Sequence, residues 1–402
     1  MADRVGPAIG ARLRELRGRQ TQLELATAAG LSVELVRALE QGRRHTASLS
    51  CLHRLAGALN VGIGELLSPG SRTGPESGGD FGVSGIRDAL TAVDDFLDEI
   101  DADGEPVELT EVERTLTYAW GSYWSGHYER LAGVLPDALA RSRAVHRQAL
   151  AADRDRAAQL AAGIHQVAAC TLVHLHEPDA AHLAVRRAID LADTASDPLL
   201  AATLRGSLSW LLLTQGRYQE AHQLAAATAT RLERTSTSSP TPSELSVWGS
   251  LLLGAATATG RLGKIGAARD HLVLADEAAG RLGHDRNDYE TAFGPSQVVM
   301  QTVDVYVVTD EYDDALIAAR SMPRGPGLPP AARARHLTDV GLAHSQLGRW
   351  DPATDALLTA ERTAPAWIRY QTLPKQIVQD MLARHPRPPL RLRELAGRLG
   401  VA

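Results

Sequence analysis

At 402 residues the chain is longer than one ordinary core, so two units, or a small domain beside an extended array, are expected. Hydrophobic residues make up 44% and aromatics only 4%, with Ala and Leu dominating, which points to an all-α fold and away from sheets. No stretch reaches the roughly 20 apolar residues of a bilayer span, and the two cysteines, Cys51 and Cys170, exclude a disulfide framework, so a cytoplasmic protein is expected. The net charge of −6 is uneven: residues 1–70, with nine Arg and no Lys, carry +3 and residues 71–402 carry −9, so the basic end is the one expected to meet phosphate.

Residues 9–67 read as five short helices. In the first, Ile9, Leu13 and Leu16 form one apolar stripe opposite an Arg-rich face. The second follows Thr21, which with Glu24 makes a capping box, and stops at Gly30. Ser32 caps a third, Val33 to Glu40, stopped by Gly42. Two helices joined by a short Gly-containing turn are a helix-turn-helix unit.

The pattern Thr21-Gln22, Leu25-Ala26, Gly30-Leu31-Ser32, Val36, Leu39-Glu40, Gly42-Arg43-Arg44, Leu52, Leu55-Ala56, Leu59-Asn60-Val61 and Leu66-Leu67 resembles the xenobiotic-response-element regulators, the family of the lambda repressors. The resemblance implies a five-helix domain over residues 1–68 whose third helix enters the major groove of double-stranded DNA. By position it implies a phosphate contact from Gln22, base-edge contacts from Ser32, Val33, Glu34 and Arg37, and phosphate clamps from Arg43 and Arg44. It also implies a homodimer on an inverted-repeat operator.

Residues 69–85 are rich in Gly, Ser and Pro and read as a flexible linker. Between Glu76 and Glu113 thirteen acidic side chains face one Arg, Arg87, a stretch that DNA would repel. Ile86, Leu90, Val93, Leu97 and Ile100 then repeat at helical spacing. Asp101-Ala102-Asp103-Gly104 looks like a calcium loop, but its register would close on Thr110 where a bidentate Glu is needed; Cys170, His174 and His176 look zinc-like but would splay on a helix. Neither is read as a metal site, and no cofactor is expected.

From residue 86 to 402 a turn recurs, beginning at Gly126, His176, Gly216, Gly263, Asp310 and Gly348, at separations of 50, 40, 47, 47 and 38 residues. Each turn carries Gly or an acidic residue, then usually a large side chain, then usually a small Ala, between two Ala/Leu-rich segments. The array resembles the tetratricopeptide repeat, which implies stacked helix pairs curving into a superhelix with a concave face, closed by a terminal amphipathic helix over residues 390–399.

A helix-turn-helix head on such a body resembles the peptide-responsive regulators, which implies an effector (peptide, small molecule or protein) bound to the array. Those receptors hold peptide backbone with groove asparagines; this chain has only Asn60 and Asn287. The polar candidates for a groove are Gln297, Gln301 and Asp304, on one face of a helix after Pro295, with His165, Gln166, His336 and Asp339 at comparable inner positions. With no nucleophile elbow, P-loop, Rossmann glycines or metal cluster, an enzyme is not expected. The alternative to a regulator is a protein-interaction adaptor in which the head serves only as a tether.

Overall fold

The structure, a computed structural model, describes residues 8–44, 47–67, 82–93, 108–235, 239–325, 327–385 and 387–401. The fold is all-α: among these residues every regular element is helical and no strand occurs. No helix is long and apolar enough to cross a membrane.

The first five helices, α1 (Ala8–Arg17), α2 (Gln22–Ala29), α3 (Val33–Glu40), α4 (Leu49–Leu59) and α5 (Ile63–Leu67), build a small domain with its own core. Ile9 and Leu13 of α1, Leu25 of α2, Val36 and Leu39 of α3, Leu52 and Leu55 of α4 and Leu66 of α5 are buried. Ile9 and Leu13 belong to the stripe read from spacing in the first helix, and its third member, Leu16, is half-buried against the same core.

Gly82 leads into α6 (Val83–Leu90), which packs on α8 (Tyr128–Gln148) and begins inside the span expected as linker. Gly85 makes this possible: a Cβ there would lie 3.2 Å from Pro136. Of the apolar series expected there, Ile86 is buried, Leu90 is half-buried, Val93 is exposed beyond the helix end, and Leu97 and Ile100 lie outside the described residues, as do 101–104.

Six helix hairpins follow. The inner members are α7 (Leu109–Trp124), α9 (Arg154–His174), α11 (Pro198–Thr214), α13 (Pro242–Arg261), α15 (Pro295–Val308) and α17 (Pro330–Gln346). The outer members are α8, α10 (Pro178–Thr194), α12 (Tyr218–Thr235), α14 (Ile265–Leu282), α16 (Tyr312–Ala319) and α18 (Trp350–Thr363). All six recurring turns are realised alike. Gly126, Gly216, Gly263 and Gly348, and also His176 and Asp310, adopt left-handed φ between 61° and 79°. The next amide donates back to the carbonyl five residues earlier, at 2.8 to 3.0 Å in every turn. The outer helix starts on the following residue, and the residue three further on (Leu131, Ala181, Ala221, Ala268, Ala315 or Ala353) is fully buried. A left-handed cap followed by a small buried residue is what lets two helices double back at close range.

The inner layer differs from an open concave surface. Each inner helix packs on the next, and α17 also contacts α7, so the stack closes. The closure is aromatic: Tyr128 meets Tyr370 edge-on at 5.7 Å, the Tyr370 hydroxyl donates to Glu129 at 2.7 Å, and a Cβ on Gly126 would touch Trp367 at 2.8 Å. Trp120, Tyr123, Trp124, His174 and Trp210 occupy the interior that an open superhelix leaves to solvent. The chain ends in α19 (Pro365–Tyr370), α20 (Thr372–Arg384) and α21 (Leu390–Leu399); α21 covers α18 and α20 with Leu392, Leu395, Ala396 and Leu399.

Candidate nucleic-acid interface

Three local devices fix the α2–α3 pair. The Thr21 hydroxyl accepts from the Glu24 amide at 3.2 Å while the Glu24 carboxylate accepts from the Thr21 amide at 2.7 Å, completing the capping box. Gly30 turns the chain in the left-handed region, and the Ser32 hydroxyl accepts from the Leu35 amide at 3.3 Å. Arg54 of α4 donates to the carbonyl of Ala29 at 2.9 Å and to that of Gly30, clamping the turn from behind. Without these partners the first amides of α3 would be orphaned and its direction unspecified.

The face expected to read bases is open. Ser32, Glu34, Arg37, Arg43 and Arg44 are exposed and Val33 is half-buried, whereas Val36 and Leu39 point inward. Among the described residues Arg37, Arg43 and Arg44 make no ion pair. Gln22 is placed differently from a free phosphate donor: its Nε2 donates to Glu40 at 2.7 Å. Glu40 also receives Arg17 at 2.6 and 3.0 Å. Burial acts to raise the Glu40 carboxyl, but the hydrogen bonds from Arg17 and Gln22 prevail and hold it below the usual carboxylate range.

The opposite side of the head docks on the array. α4 packs against α13 and α15, and α5 against α20. His53 Nδ1 and the Tyr218 hydroxyl, both buried, share a hydrogen bond of 2.9 Å. Glycines let the backbones approach: a Cβ would lie 3.1 Å from the Tyr218 ring at Gly57, 2.3 Å from the Thr214 carbonyl oxygen at Gly62, and 2.0 Å from the Val61 carbonyl oxygen at Gly216. The array thus holds the head by its back and leaves α3 facing outward.

No family model matches the chain, and no curated protein does. Among solved structures, the crystal structure of BtubC (BKLC) from P. vanneervenii is similar over 69% of this chain and 95% of that one, at 16% identity and a TM-score of 0.39.

The seven residues read as a groove divide into two places. His165 bonds the Ala161 carbonyl within its own helix, and Gln166 donates to Ser207 Oγ at 3.0 Å. The others sit on α15 and α17. Gln301 donates to Thr257 Oγ1 at 2.9 Å. Asp304 is gripped by Arg261 through bonds of 3.0 and 3.1 Å and by Arg335 at 2.6 Å. Arg335 also faces Asp339 at 3.4 Å. Burial opposes ionisation of Asp304, but the two guanidinium groups prevail and keep it well below the usual range; Asp339, the second carboxyl in the same buried cluster, is pushed up to about 7, chiefly by burial. His336 Nδ1 and Gln297 Oε1 are buried without a hydrogen-bond partner, and Asp339 Oδ2 has only the 3.4 Å ion pair with Arg335. This cluster lies beneath α4, within electrostatic reach of His53. It forms a covered polar floor rather than the lining of an open groove.

Sequence reasoning missed Arg261 and Arg335, the cations that neutralise Asp304, and missed the His53–Tyr218 contact, which joins residues 165 positions apart. Periodicity carries no record of such a pairing. It also missed a signal that was available: residues 366–402 carry +5, more than the head, while residues 71–365 carry −14.

Proposed function

We propose that the chain is a sequence-specific DNA-binding transcription regulator: a lambda-repressor-like helix-turn-helix head, similar to the xenobiotic-response-element regulators, on a tetratricopeptide-like array. The observation that carries this reading is the outward face of α3, where Ser32, Glu34 and Arg37 stand exposed on a helix whose entry is fixed by caps on both sides. Arg37 suits guanine O6 and N7, Glu34 suits cytosine N4, and Val33 suits a thymine methyl. Arg43 and Arg44 supply phosphate contacts beyond the helix. A homodimer matches an inverted-repeat site, because two-fold DNA symmetry is read by two-fold protein symmetry.

Regulation in this reading acts on the seam between head and array. An effector shifts the head only by binding one of its states better than the other, and the seam offers two states, docked and released. Selection with the full-length protein from a random-sequence duplex pool tests the proposal. It predicts an enriched inverted repeat, footprint protection over each half, and loss of preference at one base pair per half in Arg37→Ala. A pool that shows no enrichment even at low salt overturns it.

A further inference from the structure

We propose that the C-terminal cap carries a second DNA-contacting surface, in which Arg384, the last residue of α20, and Arg387, three positions beyond it, grip duplex phosphates flanking the segment that α3 reads. This rests on the regulator reading and extends it from the head to the body.

The first observation is electrostatic. The final 37 residues carry +5 in a chain that is otherwise strongly acidic beyond the head. Part of that charge is neutralised locally: Arg391 pairs with Asp351 and Asp355, and Arg398 with Glu361 at 2.7 Å. Arg384 and Arg387 are exposed and make no ion pair among the described residues. Arg384 Nη1 donates only to a neutral amide oxygen, Gln346 Oε1, at 3.4 Å.

The second observation is position. Leu373, Gln376, Ile377 and Asp380 of α20 close against Ile9, Ala47, Leu49 and Leu67 of the head, and Gln346, the partner of Arg384, lines the same junction. Tyr312 feels both Arg384 and Cys51, the latter in the first turn of α4. That turn is capped by Ser48 and follows directly on the segment bearing Arg43 and Arg44. Arg384 therefore stands beside the junction of α20 with the head, with Asp380 and Tyr312 within its electrostatic reach. Arginines at a helix end also favour its dipole, but that role needs neither the charge excess nor the junction with the head. A duplex that lies along α3 and runs on past this junction brings its flanking phosphates toward unpaired arginines there.

The test uses the full-length protein and a duplex recovered by selection, in two lengths: one trimmed to the segment protected by the head and one extended by about one helical turn at each end. Affinity is measured against salt for wild type, for Arg384→Ala/Arg387→Ala and for Arg384→Lys/Arg387→Lys. On the extended duplex the alanine variant is expected to show a salt slope shallower by about 2, at 0.9 per phosphate, with the lysine variant restoring it; on the trimmed duplex all three coincide. Equal slopes on the extended duplex, with wild type still binding, overturn the second surface and leave the head's role standing. Equal losses on both duplexes also overturn it, because the effect then runs through the head. If wild type binds no selected duplex, the regulator reading falls and this surface with it.

Discussion

Two glycines at equivalent turns give a clean measurement of head docking. Gly216 and Gly263 both hold left-handed φ, 79° and 73°, at the same position in successive hairpins. Alanine at either site pays the left-handed penalty of about 1–2 kcal/mol. They differ in what the new Cβ meets: nothing within 4 Å at Gly263, but the Val61 carbonyl oxygen at 2.0 Å and that of Ala56 at 3.2 Å at Gly216. Both obstacles are backbone, so no rotamer change relieves the clash and the head must retreat. Retreat separates His53 from Tyr218, and leaving buried partners unsatisfied costs about 1–3 kcal/mol before any lost apolar contact is counted. Gly216→Ala is therefore expected to be about 2–4 kcal/mol worse than Gly263→Ala in whole-chain stability. Amide exchange should rise across α4 and α5 only in the former. Equal destabilisation by the two variants, with unchanged exchange over residues 49–67, would refute the docking argument.

Acidification should loosen the same seam. Burial holds the His53 imidazole well below 6.5, so the docked head refuses a proton that the released head accepts. Docking is then fully stable above pH 6.5 and weakens by about 1.4 kcal/mol per unit below it; the protection of α4 amides, corrected for the intrinsic exchange rate, should fall between pH 7 and 5.5 in wild type and change less in His53→Gln. Asp339 works in the other direction: with its carboxyl pushed up to about 7, the fold keeps a proton that the unfolded chain has lost, so stability falls as pH rises from about 4 to 7. Asp339→Asn should flatten that slope in urea melts taken across the window. Asp304→Ala strands Arg261 and Arg335 and should cost about 3–5 kcal/mol in the same melts. Arg37→Ala should lose about 1–3 kcal/mol of specific binding while leaving the melting midpoint in place.

Local structure was legible and long-range closure was not. Thr21, Glu24, Gly30 and Ser32 each act over four residues or fewer, so their pattern announces the caps and the turn directly. The six turns were visible for the same reason, even at His176 and Asp310, where a residue other than glycine takes the left-handed cap. The expected concave groove was a property of a generic array; whether an array stays open depends on which side chains fill its inside. Here Trp120, Tyr123, Trp124 and His174 do so, and their spacing looks like any other buried helical stripe. Asp304 was identified as an inner polar residue, yet its partners come from α13 and α17, 43 and 31 residues away, and nothing local marks them.

The contact of α17 with α7 has a mechanical consequence. An open row of hairpins can breathe from either tip and can gain or lose a unit with little penalty. A hoop has no tip: each hairpin is braced on two sides, and removing or adding one breaks a join elsewhere. Strain applied where the head is seated is then shared around the circumference, and the aromatic meeting of Tyr128 with Tyr370 is one of the contacts that carries it across the join.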